Sequence, residues 1–331
     1  MSLSIVQAKK ILSRFSHQRI LVVGDLMLDR YIYGGVSRIS PEAPVPVVHV
    51  THEKSMPGGA SNVAWNVQSL GGGAAVAGIL GKDTTGRDLK KILMRGGVSV
   101  AVDAGGIRTT VKTRIIAERQ QVVRVDRENN LNLTGKKAEV FCRRLASEVK
   151  KSTGVILEDY GKGVIQQCVV DTVLKVAKAS GIPVGLDPKE NHELDLGGIT
   201  VATPNRKEAF TIAGVKGSPA HSNPLNDNAL LKVADILMHK WAPALLLITL
   251  GPLGILLVTK NAPPKHVPTR AREVFDVSGA GDTVIATCIL ALAAGASPFE
   301  AAELANYAAG VVVGKLGTAT CTQREILSYL P

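Results

Sequence analysis

The chain has 331 residues, 45% of them hydrophobic and only 4% aromatic, with a formal charge of +11. That length suits one large or two small α/β units, and so much apolar material excludes an intrinsically disordered chain. The Lys and Arg residues are scattered, with no basic block and no aromatic interleaving, which excludes a nucleic-acid-binding tract; a solvated basic surface and an anionic small-molecule ligand both stay open. The first element in the chain is the apolar run 19–24 (Arg-Ile-Leu-Val-Val-Gly), which reads as a buried strand ending at Gly24-Asp25. A helix is expected over 61–70, with Ser61 as its N-cap and Val63, Ala64, Val67 and Leu70 on one face. Strands follow near 74–78, 154–158, 183–187 and 244–249, and helical patterns lie near 84–95, 135–151, 166–180 and 226–240. This alternation implies an α/β fold with an open, mostly parallel sheet and helices on both faces.

Two stretches break the rhythm. Residues 31–50 carry Tyr31, Ile32 and Tyr33 and then a Pro-spaced extended piece; residues 107–126 are rich in β-formers with charges alternating through them. Both read as strands outside the main sheet, either a small β-flap over a ligand or an edge extension of that sheet. The run 243–258 is broken by Gly251, Pro252 and Gly254, too short to cross a bilayer, and reads as two strands joined by a turn. Helices over 280–294, 298–315 and 322–329 complete a single domain over 1–331. No apolar segment follows Lys9, Lys10 and Arg14, so no secretory leader is expected. Cys142, Cys168, Cys288 and Cys321 have no paired spacing, and the seven histidines no ligand spacing, which points to a reducing cytoplasmic setting without zinc.

The segment Ser278-Gly-Ala-Gly-Asp-Thr283 stands out. Small residues let the backbone approach an anion, and a helix starting there aims free N–H groups and its positive dipole end at the loop. Asp282 among those donors fits a base beside migrating phosphoryl charge; a helix cap is the alternative.

The run Asp276-Val-Ser-Gly-Ala-Gly-Asp282, with Pro57-Gly-Gly-Ala-Ser-Asn-Val-Ala64 far upstream, resembles the two signatures of the ribokinase-like (PfkB) carbohydrate kinases. Within that family the chain is most similar to the D-glycero-β-D-manno-heptose-7-phosphate kinases, a group that includes the kinase half of the bifunctional ADP-heptose synthesis proteins. The likeness lies in Gly24–Tyr31, Ser40–Val47, Gln120–Asp126, Asp159–Gly163, Asp187–Lys189 and Thr203–Glu208; Ser61 and Trp65 depart from the pattern.

The resemblance implies a role for each matching position. Asp282 would be the base, with the N–H groups of Gly279, Ala280 and Gly281 as the anion hole. Gly58, Gly59 and Asn62 would form the sugar-binding turn, or simply a tight strand-to-helix turn. Asp25 and Asp29, at the end of the first strand, suit sugar hydroxyls; Asp29 could instead pair with a neighbouring cation. Lys162, Arg114 and Arg124 are candidates for a substrate phosphate, and Glu42 for a hydroxyl. Asn205, Arg206, Lys207 and Glu208 would sit by the ATP phosphates, Glu208 reaching Mg²⁺ through water; Asn205 and Glu208 also have capping-box spacing. Lys189 is a further phosphate contact, Thr249, Gly251 and Gly254 line the nucleotide loop, and Asn306 borders the adenine. Asp276 and Ser278 would lie near a monovalent cation such as K⁺.

The activity implied is transfer of the ATP γ-phosphate to the anomeric hydroxyl of heptose 7-phosphate, giving the 1,7-bisphosphate for lipopolysaccharide core synthesis. A homodimer through the flap is expected, with neither nucleic acid nor membrane as partner. The chain has no His-x-Gly-His motif, so a separate adenylyltransferase is expected to continue the pathway. The rivals are a related kinase acting on a fructose phosphate, ribose or a nucleoside, a catalytically silent sugar-nucleotide sensor, and an NAD-dependent oxidoreductase, against which the lack of Gly-x-Gly-x-x-Gly after the first strand counts.

Overall fold

The computed structural model describes residues 3–118, 120–128, 132–190 and 192–331. Strand β1 (Arg19–Gly24) shows how the fold starts. Ile20, Leu21, Val22 and Val23 are all buried, and alternate side chains leave a strand on opposite faces. Ile20 and Val22 therefore join one apolar cluster, and Leu21 and Val23 another, on the other side of the sheet. A strand buried on both faces needs helices on both, and the chain supplies them.

The strands that follow are β2 (Leu26–Ile39), β3 (Pro46–Gly59), β4 (Gly73–Gly78), β5 (Ser99–Asp103), β6 (Thr110–Ala117), β7 (Gln120–Arg127) and β8 (Gly154–Glu158). Then come β9 (Val184–Asp187), β10 (Val201–Ala202), β11 (Leu245–Thr249), β12 (Ile255–Thr259) and β13 (Ala262–Val267). Nine of them form one sheet in the order β13-β12-β11-β10-β9-β8-β1-β4-β5, parallel except for the antiparallel edge strands β12 and β13. The helices are α1 (Ile5–Leu12), α2 (Ala60–Ser69), α3 (Thr84–Arg95), α4 (Gly135–Val149), α5 (Gln167–Ser180), α6 (Arg206–Ile212), α7 (Asn228–Trp241), α8 (Ala280–Ala293), α9 (Pro298–Val312) and α10 (Gln323–Tyr329). Helices α1, α2, α3, α8, α9 and α10 bury residues in the first cluster; α4, α5, α6 and α7 bury theirs in the second. The open, mostly parallel sheet read from the sequence is the one observed.

The two aberrant stretches meet in a separate four-stranded sheet, ordered β3-β2-β6-β7. It is more extensive than expected. β2 begins two residues after β1 ends, and β3 runs directly into α2, so the flap's base is continuous with the sugar-turn segment. Arg119, inside the expected flap, lies outside the described residues. One expectation needs correction. The N-cap of α2 is Gly59, at φ +54°, because the chain turns there through a conformation that favours glycine; Ser61 is buried inside the helix, its Oγ without a partner among the described residues. Tyr31 turns inward: it is 2% exposed, under the Arg114 guanidinium and within hydrogen-bonding reach of Thr318. The outward face of the flap instead carries Ile32, Ile115 and Val123 in one cross-strand row and Val125 in the next.

β1 and β8 approach so closely that a Cβ at Gly24 would lie 2.1 Å from the Glu158 carbonyl oxygen. Gly24→Ala is therefore expected to destabilise the fold by about 1–3 kcal/mol, as overpacking does. A thermal melt followed by circular dichroism checks this; an unchanged midpoint would mean that the two strands can part without cost.

Candidate active site

The C-terminal ends of β1, β8, β9, β10 and β11 converge on the start of α8, and the flap stands over them. Gly279 makes the turn into α8 at φ +79°, and a Cβ there would meet Asn62 Nδ2 at 2.9 Å, so only glycine fits. Asp276 braces the loop: Oδ1 accepts the Ser278 N–H at 2.9 Å and Oδ2 the Gly317 N–H at 3.0 Å. One of the three expected anion-hole amides is already committed, since the Ala280 N–H donates to the Val277 carbonyl at 3.2 Å. The amides of Gly279, Gly281 and Asp282 have no partner among the described residues.

Asp282 sits at this helix start, 5% exposed. Its Oδ2 accepts from Asn62 Nδ2 at 2.6 Å and its Oδ1 from the Tyr160 hydroxyl at 3.0 Å. Asn62 is braced in turn by Asn66, whose Nδ2 donates to the Asn62 main-chain carbonyl at 2.9 Å and to its side-chain Oδ1 at 3.5 Å, and whose Oδ1 accepts from the Thr283 hydroxyl at 2.8 Å. Burial pushes the Asp282 carboxyl up to about 6, against the pull of the Asn62 and Tyr160 hydrogen bonds.

Glu158 and Asp187, which end β8 and β9, bring carboxylate oxygens to within 4.8 Å of each other and of Asp282. Desolvation and mutual repulsion hold both carboxyls well above the usual carboxylate range. Glu158 Oε2 is buried with no hydrogen-bond partner among the described residues. Three converging carboxylates, one of which carries this unpartnered oxygen, fit a hydrated Mg²⁺ ion.

On the sugar side, a Cβ at Gly58 would strike Asp29 Oδ2 at 2.8 Å, so the glycine lets that carboxylate lie against the turn. Asp29 also holds Arg114 at 2.7 Å, a buried pair inside the site. Three other expected residues are engaged differently. Asp25 is bonded largely to backbone: its oxygens accept the N–H groups of Tyr160 (3.0 Å), Lys162 (2.9 Å) and Val164 (3.2 Å), so it shapes the loop after β8. Arg124 lies on the exposed strand β7, its fork closed on Asp126 at 2.9 and 3.0 Å. Glu42 is exposed in the turn between β2 and β3. Lys162 pairs with Glu128 at 2.6 Å and lines a small cleft with Asp25, Arg108 and Thr110.

A second, apolar cleft opens on the other side of α8. Thr249, Gly251, Gly254 and Asn306 line it with Ala280 and Gly281, so the anion-hole loop forms its inner end. Asn306 donates to the Pro268 carbonyl at 2.6 Å, which fixes its orientation at the rim. Asn205 and Glu208 form a complete capping box on α6, and burial raises the Glu208 carboxyl, with Lys189 beside it acting the other way. Arg206 and Lys207 do not join them. Arg206 pairs with Asp227 at 2.9 Å and stacks on Phe210, while Lys207 reaches Glu190 at 2.9 Å, because successive helical residues point about 100° apart. Sequence reasoning missed Tyr160, Glu158 and Asp187 as site residues. The signal was available: the segment Asp159-Tyr-Gly-Lys-Gly163 follows β8 as Gly24-Asp25 closes β1, at the same sheet edge.

Residues 17–325 match the pfkB family of carbohydrate kinases. The chain is 44% identical over 318 residues to the bifunctional protein HldE of Caulobacter sp. (strain K31), covering 95% of this chain and 63% of that protein. It is 43% identical over 323 residues to the HldE protein of Trichlorobacter lovleyi, covering 97% and 64%. The chain thus spans less than two thirds of the length of these relatives. Its fold superposes on Arabidopsis thaliana ribokinase complexed with ribose and ATP (TM-score 0.70, 21% identity, 94% of this chain and 98% of that one). It also superposes on Escherichia coli phosphofructokinase-2 in complex with potassium (TM-score 0.73, 21% identity, 94% and 98%).

Asp282 can accept a proton only as the carboxylate. With its carboxyl at about 6, kcat/KM is expected to be level at neutral pH and to fall about tenfold per pH unit on the acid side. Tyr160→Phe removes a hydrogen bond that favours the ionised form, so its acid limb should lie at higher pH. A limb unmoved in the pH–rate profile of that variant would uncouple Tyr160 from the base.

Proposed function

The chain belongs to the pfkB family of carbohydrate kinases, and on that footing we propose that it transfers the γ-phosphate of ATP to the anomeric hydroxyl of D-glycero-D-manno-heptose 7-phosphate. The observation that carries the reading is the Asp282 carboxylate, buried at the start of α8 beside unpartnered amides and held by Asn62 and Tyr160. Such a carboxylate takes the hydroxyl proton late in a loose phosphoryl transfer, when a group of moderate basicity is sufficient. The amides of Gly279 and Gly281 and the positive end of α8 receive the charge that builds on the migrating phosphoryl group. The apolar cleft lined by Thr249, Gly251, Gly254 and Asn306 suits the adenosine end of ATP, with its triphosphate running along Lys189 and Asn205 toward Gly281. Asp29 and the Gly58-Gly59 turn orient the sugar ring.

Glu158 and Asp187, with Glu208 farther out through water, are the residues that would hold Mg²⁺, which when bound neutralises phosphate charge. A monovalent cation such as K⁺ fits the same reading, against the loop that Asp276 and Ser278 brace. The 44% identity to a bifunctional HldE protein over nearly the whole chain supports the heptose substrate, and with it a place before adenylyl transfer in ADP-heptose synthesis. Cytoplasmic location follows from ATP as substrate; among the described residues no helix is long and apolar enough to cross a membrane. The proposed homodimer pairs two flaps, burying the row of Ile32, Ile115 and Val123. Sedimentation at micromolar concentration is expected to give a dimer, and a monomer alone would remove this part of the reading.

The reaction is tested by assaying the chain against a panel of sugars and sugar phosphates with ATP. Heptose 7-phosphate is expected to give the highest kcat/KM, and a fructose phosphate, ribose or nucleoside in first place would overturn the substrate. Asp282→Asn should lower kcat by about 10²–10⁴-fold, the usual worth of a positioned base, while keeping the wild-type circular dichroism spectrum. Near-normal kcat in that variant would assign the proton transfer elsewhere.

A further inference from the structure

The inner face of the flap holds more positive charge than its carboxylates neutralise. The registers of β2, β6 and β7 place Asp29, Lys112 and Asp126 in one cross-strand row and Tyr31, Arg114 and Arg124 in the next. Each carboxylate on this face already has a cation: Arg114 on Asp29, Arg124 on Asp126, and Lys162 on Glu128, just beyond β7. Lys112 is left over and forms no ion pair among the described residues. Its ammonium nitrogen instead lies over the Tyr160 ring, 5.0 Å from the centroid. The side chain is half-buried, and burial works against its charge. The Asp29 and Asp126 carboxylates across the strands favour the charge without pairing with it directly, and a half-buried ammonium in no direct ion pair has donors left for an anionic ligand.

The position of Lys112 says which anion. Thr110, two residues earlier on the same face, lines the cleft that also holds Arg108 and Lys162. Arg108 has no ion pair either among the described residues. Lys112 thus stands between Tyr160, which bonds the base, and a cleft rimmed by two further cations. A ligand whose hydroxyl meets Asp282 and whose other end is a phosphate monoester would run along this line. We propose that Lys112, with Lys162 and Arg108 beyond it, receives the phosphate that the sugar substrate already carries, and that Lys112 is therefore a specificity-determining residue. The inference rests on a phosphorylated sugar being the substrate; Arg114, Arg124 and Lys162 are already paired with Asp29, Asp126 and Glu128, whereas Lys112 is in no ion pair among the described residues.

The test compares the whole chain with Lys112→Met and Lys112→Arg, using heptose 7-phosphate and the phosphate-free heptose. Lys112→Met should raise KM for the sugar phosphate about 10- to 100-fold, as losing a charge-assisted contact does. KM for ATP should stay within about twofold, and the preference over the phosphate-free sugar should shrink by the same factor as the affinity. Lys112→Arg, which keeps the charge, should recover most of the affinity, and thermal melts establish that both variants are folded. A Lys112→Met variant that keeps its KM for the sugar phosphate, or loses kcat equally on both sugars, overturns the inference. The wild-type arm separates the two readings: turnover of a different phosphorylated sugar removes the heptose assignment but leaves Lys112 to be tested on that sugar. Turnover of unphosphorylated sugars alone removes both.

Discussion

The site depends on keeping one buried carboxylate ionised. Asp282 is shut away from water, which favours its neutral form, yet the reaction proposed for it needs the charged one. Two hydrogen bonds and the amide end of α8 oppose desolvation, and the balance leaves the carboxyl near 6 rather than far above neutrality. Each stabilising group has its own support: Asn62 is fixed by Asn66 and Thr283, and Tyr160 by a loop whose backbone is bonded to Asp25. A base of this kind is basic enough to take a proton and still free of one at neutral pH.

The same sheet edge collects further acid. Glu158 and Asp187 cannot both stay ionised beside Asp282 without a cation or a proton to share, and the orphaned Glu158 oxygen marks the point of greatest need. Stability is given up locally here: apolar residues at the ends of β8 and β9 would pack at lower cost. The apolar clusters on both faces of the sheet carry that burden.

Much of this arrangement was legible in the chain itself. Runs such as Ile20–Val23 reveal strands buried on both faces, and the alternation in Val-Lys-Thr-Arg marks a strand with one charged face. The Gly-Ala-Gly-Asp loop pointed to Asp282, which the fold buries at the start of α8 between Asn62 and Tyr160. What escaped was mostly pairing. Nothing local says that Asp25 will spend its oxygens on three amides, that Arg124 will close on its neighbour Asp126, or that Arg206 will turn to Asp227. Those outcomes depend on which groups lie within reach after folding, and the resulting surplus of charge, Lys112, is visible only when the pairs are counted in space. Ser61 failed as a cap for a different reason: the turn out of β3 demanded positive φ, and Gly59 supplied it.

In the loop after β8, Asp25 clamps Tyr160, Lys162 and Val164 through their backbone, so a single carboxylate sets the separation between the residue that touches the base and a lysine at the opposite cationic rim. The clamp ties the Tyr160 hydrogen bond to Asp282 to the backbone of Lys162 and Val164, so a change at Asp25, outside the carboxylate cluster, would be felt at Asp282 through the shift of one short loop.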